Sequence, residues 1–333
     1  MKAWVSHVAG GPETLVLEER PIPEPLQGEL LVRVCAVGIN FPDGLLLRDL
    51  YQVKPPRPLV PGSEFSGVVE RVGAGVADFA PGDVVIGRCG WGAMSEYIAL
   101  DSRRCVRIHA DLPMAEAAGF LFTYATAYHA LCDAARLAAG ETLMVLGAAG
   151  GVGSAAVEVG RALGARVVVA VSTQEKLDFA TSLGASRGAV YDPHLVAGDG
   201  QKVLTTQLKE LAPGGVNVIL DPIGGTYSEP ALRSIAPGGR HLVVGFTAGI
   251  PRIPLNLALL KRAHIIGVDW RMFVQEQPEA NARNVQALLH MWERGLVRPR
   301  VTERFAMSEA PAAIARIESR SAIGKVVVSM VVE

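Results

Sequence analysis

Residues 146–165 read LGAAGGVGSAAVEVGRALGA, with an apolar run feeding Gly147, then Ala148-Ala149-Gly150-Gly151-Val152-Gly153, then a stretch of helix-forming composition. Between a strand and a helix, Gly150 would let the backbone approach a pyrophosphate and Gly153 would let the helix pack close to its strand. The helix N-terminus would present N–H groups and a partial positive charge to the phosphates. Ala148 stands where the first glycine of a GxGxxG string usually falls. A glycine-rich turn that binds nothing is the alternative, but a second apolar run follows at the distance a dinucleotide site needs. That run ends in VSTQEK. An NAD site usually places Asp or Glu about 20 residues after the glycines, on the ribose 2′-hydroxyl. Here the tip offers Ser172 and Thr173, with Lys176 one turn into the next helix. Hydroxyls and a cation suit a 2′-phosphate, so the spacing predicts NADPH. Glu175 is expected to point to solvent, and the alternative for Lys176 is an ordinary exposed helix lysine.

Metal chemistry is the next question. GINFPDG (38–44) and PGSEFSG (61–67) stand where zinc alcohol dehydrogenases carry a Cys and a His ligand, and this chain has Asn40 near the first and Ser63 at the second. Neither binds zinc usefully. Only Cys89 lies between residues 83 and 97, so the four-cysteine lobe of a structural zinc site is missing. His7, His109, His129, His194, His241, His264 and His290 show no ligand spacing and are expected as surface or packed residues. The reading is no zinc.

The elements that must position these groups differ between the two parts of the chain. The first third carries short apolar runs (29–37, 67–72, 83–86 and 95–100) punctuated by Pro61-Gly62, Gly73, Gly75 and Pro81-Gly82-Asp83. Short strands closed by such turns predict a mostly β, partly barrel-like domain. Residues 114–137 have helix-forming composition and few breakers. From Thr142 apolar strands (142–147, 166–171, 188–191, 216–221, 240–246 and 263–270) alternate with helical segments, among them 152–163, 174–183 and 201–211. Gly164 and Gly184 sit where helix C-caps favour glycine. Alternating β and α with continuous apolar strands predicts an α/β fold with a doubly wound parallel sheet. A helix over 278–294 and a last strand over 325–332 complete the pattern.

A length of 333 residues suggests two domains. Half the residues are hydrophobic, a fifth are charged and the formal net charge is −1, which argues against disorder and against nucleic acid or a membrane surface as partner. The N-terminus has no apolar core of signal-peptide length, and the longest uncharged stretch, 142–157, is too short and glycine-rich to span a bilayer. Four dispersed cysteines (Cys35, Cys89, Cys105, Cys132) predict free thiols and a cytoplasmic setting.

Taken in order, GINFPDG, PGSEFSGVVERVGAGV, FAPGDVV, GAMSEY, AAGFLFTYATAYHAL, AAGGVG, VILDPIGG and the terminal IGKVVV resemble the zinc-free quinone oxidoreductase branch of the medium-chain dehydrogenase/reductase superfamily, over essentially the whole chain. The resemblance implies a GroES-like, mostly β catalytic domain from residues 1–121, a Rossmann NADPH-binding domain from 122–264, and a return to the catalytic domain at 265–333. It also implies a homodimer through the cofactor domains. Position by position, Asn40 and Thr126 match residues at the nicotinamide, and Gly150, Gly151, Val152 and Gly153 match the pyrophosphate loop. Ser172, Thr173, Lys176 and Tyr191 match the 2′-phosphate and adenine-ribose region. Gly245, Phe246 and Thr247 match the strand tip beside the nicotinamide, and Gly324 and Lys325 a C-terminal cofactor contact. Tyr51 matches a tyrosine at the substrate, or packs on Pro55-Pro56. Bacterial members often carry a second tyrosine where this chain has Leu45.

These readings predict NADPH-dependent reduction of a quinone or small α,β-unsaturated carbonyl compound. Without a Lewis acid, a conjugated acceptor is easier to reduce than an isolated ketone, because charge spreads to an oxygen that hydrogen-bond donors can stabilise. Asn40, Thr126 and Tyr51 are the candidate catalytic residues. The alternatives are an enoyl or acrylyl thioester reductase and a non-catalytic NADPH-binding relative.

Overall fold

Valine- and isoleucine-rich runs separated by Gly and Pro favour strands, because branched side chains pack well on a pleated surface while the turns need unusual backbone angles. The computed structural model describes residues 1–193 and 198–330. The chain divides into two compact units, Met1–Phe122 with Pro299–Glu333, and Thr123–Arg298.

The first unit opens with β1 (Lys2–Ser6) antiparallel to β2 (Leu15–Glu19). It continues through β3 (Glu29–Ile39), α1 (Phe41–Leu47), β4 (Glu64–Val72), β5 (Val84–Arg88), β6 (Tyr97–Asp101), β7 (Cys105–Arg107) and α2 (Met114–Ala118). The second unit holds α3 (Thr126–Tyr128), β8 (Thr142–Leu146), α4 (Gly151–Ala162), β9 (Arg166–Val171), α5 (Gln174–Ser182), β10 (Arg187–Val190) and α6 (Asp199–Leu211). After these come β11 (Val216–Asp221), α7 (Ser228–Arg233), β12 (Ile235–Val243), α8 (Asn256–Lys261), β13 (His264–Gly267), α9 (Trp270–Glu276) and α10 (Pro278–Glu293). The chain then returns to the first unit with β14 (Val301–Ala306), α11 (Ala310–Glu318) and β15 (Lys325–Ser329).

In the first unit the strands run β14-β15-β3-β4-β5-β7, with β6 also paired to β3. Two register facts matter for the site. Val326 lies opposite Ile39, and Gly38 lies opposite Glu64. They bring the start of β15, the end of β3 and the start of β4 to one place, over a core that includes Phe65, Leu47, Met94 and Ile314.

The second unit is a six-stranded sheet ordered β10-β9-β8-β11-β12-β13, parallel throughout. Its order reverses at β8. Ligands of such sheets bind outside the carboxyl ends of the strands at that point, where residues 147–153 lie.

Three expectations need adjusting. Residues 265–298 were expected in the first unit but pack with the second. His129 stacks on Phe273 with ring centroids 4.0 Å apart, Asn284 Nδ2 donates to Asp133 Oδ2 at 2.7 Å, and α10 buries Val285, Leu288, Leu289 and Trp292. The helical stretch 114–137 is broken into α2, α3 and two π-helical pieces, Leu121–Ala125 and His129–Ala134. Strand β12 starts five residues earlier than its apolar run, because Pro237-Gly238-Gly239 lies in a register shift opposite β11 rather than in a turn. His194 and the strand positions 331–332 lie outside the described residues.

Candidate functional site

In the second unit, the loop after β8 shows two different uses of glycine. A Cβ on Gly153 would sit 2.2 Å from the Gly147 carbonyl oxygen and 2.8 Å from Ala148 Cα, so this glycine lets α4 pack against the loop. A Cβ on Gly150 would meet nothing nearer than 3.6 Å, so the space above Gly150 is open. Gly150 is the N-cap of α4 with extended backbone and no side-chain cap. The first-turn N–H groups of Gly151, Val152 and Gly153 therefore have no partner within the helix and are the kind of donors that an anion can use. These residues fit a dinucleotide pyrophosphate.

The next strand tip is preassembled. Thr173 caps α5, its Oγ1 accepting from the Lys176 N–H at 3.2 Å, and Lys176 Nζ donates to Ser172 Oγ at 3.1 Å. Lys176 is half-buried, while Glu175 is exposed as expected. Tyr191, at the end of β10, packs its ring 4.9 Å from that of Tyr227, and burial pushes its phenol pKa up.

Sequence reasoning did not single out Asp221 at the end of β11, although it lies in the quoted VILDPIGG. This buried carboxylate accepts from the Ile223 and Gly224 N–H groups at 2.9 and 2.8 Å, and from Ser228 Oγ at 2.5 Å. It also faces His241 Nε2 at 3.1 Å. Burial alone would raise its pKa, but the hydrogen bond and charge of His241 together with the N–H and hydroxyl donors hold it below the usual range. The Asp221 carbonyl receives Gly245 N–H, and Thr247 Oγ1 donates to the Pro222 carbonyl at 3.3 Å. The tips of β11 and β12 are thereby tied together, with Phe246 left exposed.

In the first unit the register places four ionisable or amide side chains in one buried cluster: Asp43 (0% exposed), Glu64 (1%), Lys325 (4%) and Asn40 (6%). Asn40 Nδ2 donates to Glu64 Oε1 at 2.9 Å, to the Gly38 carbonyl at 3.2 Å and to Ser63 Oγ at 3.3 Å. Lys325 Nζ donates to Asn40 Oδ1 at 2.7 Å and to the Ile39 carbonyl at 3.0 Å, and lies 2.8 Å from Glu64 Oε1. Glu64 Oε2 accepts the Phe122 N–H at 2.9 Å. Asp43 Oδ2 accepts the Asn40 backbone N–H at 2.7 Å, and burial pushes the Asp43 carboxyl up to about 7 against the lowering effects of that N–H and of Lys325. Both amide hydrogens of Asn40 are committed, so it offers an acceptor lone pair rather than the donor expected of it. Glu64 and Asp43 went unremarked in the sequence; the signal was two carboxylates inside apolar segments.

This donor set does not fit zinc. Ser63 and the Asn40 amide are weak ligands, and the Lys325 ammonium already contacts Asn40 and Glu64. The nearby Cys89 thiol donates to the Gly62 carbonyl, and burial pushes its pKa up, which disfavours a thiolate. Among the described residues no group of three or more His, Cys, Asp or Glu side chains could hold a metal.

Of the remaining expected residues, Tyr51 is half-buried in the loop after α1 and Thr126 is buried at the start of α3. Gly324 precedes β15 with φ +68°. All four cysteines are free thiols. No helix among the described residues is long and apolar enough to cross a membrane.

A parallel sheet with a glycine loop at its switch point, in a chain that also carries a GroES-like β domain, is the fold of nicotinamide-dependent oxidoreductases. Comparison with known proteins agrees. Residues 26–110 match the alcohol dehydrogenase GroES-like domain family and residues 151–286 the zinc-binding dehydrogenase family. Quinone oxidoreductase-like protein 2 of Rattus norvegicus is 35% identical over 305 residues, 91% of this chain and 85% of the relative. The solved quinone oxidoreductase of Thermus thermophilus, described with its NADPH complex, is 32% identical with a TM-score of 0.85, covering 99% of this chain and 100% of that one. The CurK enoyl reductase is 27% identical with a TM-score of 0.85, covering 99% of each chain. The chain belongs to the quinone oxidoreductase branch of the medium-chain dehydrogenase/reductase superfamily.

Proposed function

We propose that this protein transfers hydride from NADPH to a quinone or a small α,β-unsaturated carbonyl compound, without zinc. The observation that carries this reading is the Asn40–Ser63–Glu64 pocket holding a lysine ammonium where a dehydrogenase of this superfamily would hold its metal. With no electrophilic metal to polarise an isolated carbonyl, the acceptor must spread developing charge itself, as a conjugated system does.

Bound NADPH would supply the hydride. The chain's own residues bind and orient it: the α4 N-terminus and Gly150 take the pyrophosphate, Ser172, Thr173 and Lys176 take the 2′-phosphate, and Tyr191 packs by the adenine ribose. In the second unit the tied tips carrying Gly245, Phe246 and Thr247 would hold the nicotinamide, and in the first unit Gly324 is a candidate cofactor contact. In the first unit Asn40 would accept from the carboxamide and the Tyr51 hydroxyl is a candidate donor toward the acceptor oxygen; in the second unit the Thr126 hydroxyl is another candidate. The likeness of the Thermus enzyme, described with NADPH, supports the cofactor choice.

Similarity to the CurK enoyl reductase over nearly the whole of both chains favours enoyl thioesters as the second acceptor class. A homodimer through the second unit is supported by the outer edge of β13, which has no strand neighbour among the described residues. Ile265 on that strand and Ile250, Leu255, Leu259 and Leu260 in the segment leading to it are exposed. The four free thiols suit a reducing cytoplasm.

The test follows NADPH absorbance with quinones, enones and coenzyme A thioesters, before and after dialysis against a strong chelator. Turnover of a quinone or enone that survives chelation supports the reading. Tight NADPH binding with no acceptor consumed would assign the protein to the non-catalytic relatives, and a rate lost with stoichiometric zinc would overturn the metal-free mechanism.

A further inference from the structure

The positions that correspond to zinc ligands in alcohol dehydrogenases do meet, with the Asn40 amide 3.3 Å from the Ser63 hydroxyl, and a cation sits beside them. That cation is Lys325. Its three ammonium hydrogens face three acceptors: Asn40 Oδ1 at 2.7 Å, Glu64 Oε1 at 2.8 Å and the Ile39 carbonyl at 3.0 Å. The stem reaches this place across Gly119, where a Cβ would lie 2.6 Å from Lys325 Cγ. An ammonium can only donate and a carboxylate can only accept, so an amide held between Lys325 and Glu64 has one orientation, with its oxygen toward the lysine. A buried carboxylate also needs a compensating charge, which Lys325 supplies to Glu64.

We propose that Lys325 is the resident cation of this pocket. It neutralises Glu64 and fixes the Asn40 amide in the place a catalytic metal would take, and its side chain is not a cofactor contact. Lys325 is thus a positioning residue acting through Asn40, and its effect on turnover rests on the hydride-transfer reading. The family resemblance assigns the same lysine to the cofactor, so the two roles make opposite predictions.

The experiment compares Lys325→Met, Glu64→Gln and the Glu64→Gln/Lys325→Met double variant in the full chain. Each single variant leaves a buried charge unpaired and should lower the melting midpoint by about 10 °C. The double variant should melt higher than either single one. Turnover of the double variant should still be down by about 100-fold, because the amide no longer orients the nicotinamide, while its Kd for NADPH rises by no more than about 10-fold, the loss of the one Asn40 hydrogen bond. A double variant no more stable than the singles overturns the neutralising role. A rise in Kd that matches the fall in turnover overturns the positioning role and returns Lys325 to the cofactor. If wild type consumes no acceptor, the hydride-transfer reading fails, while melting and NADPH titration still decide what the lysine does.

Discussion

Two glycines of one loop should fail in different ways when given a methyl group. At Gly153 the added Cβ would lie 2.2 Å from the Gly147 carbonyl oxygen and 2.8 Å from Ala148 Cα, both backbone atoms, so α4 must move. Overpacking of this kind costs about 1–3 kcal/mol. At Gly150 the nearest atom is 3.6 Å away, and its φ of −82° and ψ of 173° suit any residue. Gly150→Ala should therefore fold as well as wild type, and the smaller entropy of its unfolded chain should raise stability by about 0.4–1 kcal/mol. Its methyl group, however, points into the open space proposed for the pyrophosphate. An intrusion of about 1–3 kcal/mol there weakens NADPH by roughly 5- to 150-fold. Urea unfolding and fluorescence titration with NADPH separate the two effects. Gly153→Ala should lose stability, and Gly150→Ala should lose affinity at full stability. An unchanged Kd for Gly150→Ala refutes the assignment of this loop to the pyrophosphate, and an unchanged urea midpoint for Gly153→Ala refutes the packing argument.

Other perturbations follow from the same geometry. If Lys176 holds the 2′-phosphate as proposed, Lys176→Ala removes one charge-assisted bond worth about 1.5–3 kcal/mol and should weaken NADPH by roughly 10- to 150-fold while NADH is nearly unaffected; equal weakening of both cofactors would make Lys176 a support for Ser172 only. Asp43, whose carboxyl is pushed from 3.8 to about 7, stays protonated in the folded chain where the unfolded chain has already ionised. Stability should thus fall as pH rises from about 4 to 7, by roughly 4 kcal/mol, and level off above. Asp43→Asn should flatten that fall in urea midpoints taken across the window, and an unaltered pH slope would show that Asp43 is not its source.

What the sequence by itself determined was the two-part fold class and the alternation of strand and helix from residue 142. Strands 166–171 and 216–221 match β9 and β11 to the residue, because a parallel strand buried on both faces must be continuously apolar and its ends are cut by Gly, Ser or Pro. Gly153 was legible for a similar reason, since only a residue without a side chain permits that approach of helix to strand. The pocket around Lys325 was not legible as a unit. Lys325 is 285 residues from Asn40, and they meet only because β15 pairs with β3 at the register that sets Val326 against Ile39. Register depends on which faces find a core, which no local window reports. Glu64 and Asp43 read locally as ordinary acids, and only the folded chain takes them out of water and gives them partners. The return of the chain at Pro299 was likewise a tertiary decision. Helices α9 and α10 carry apolar faces that either unit could bury, and contacts such as that of Phe273 with His129 settled them on the second.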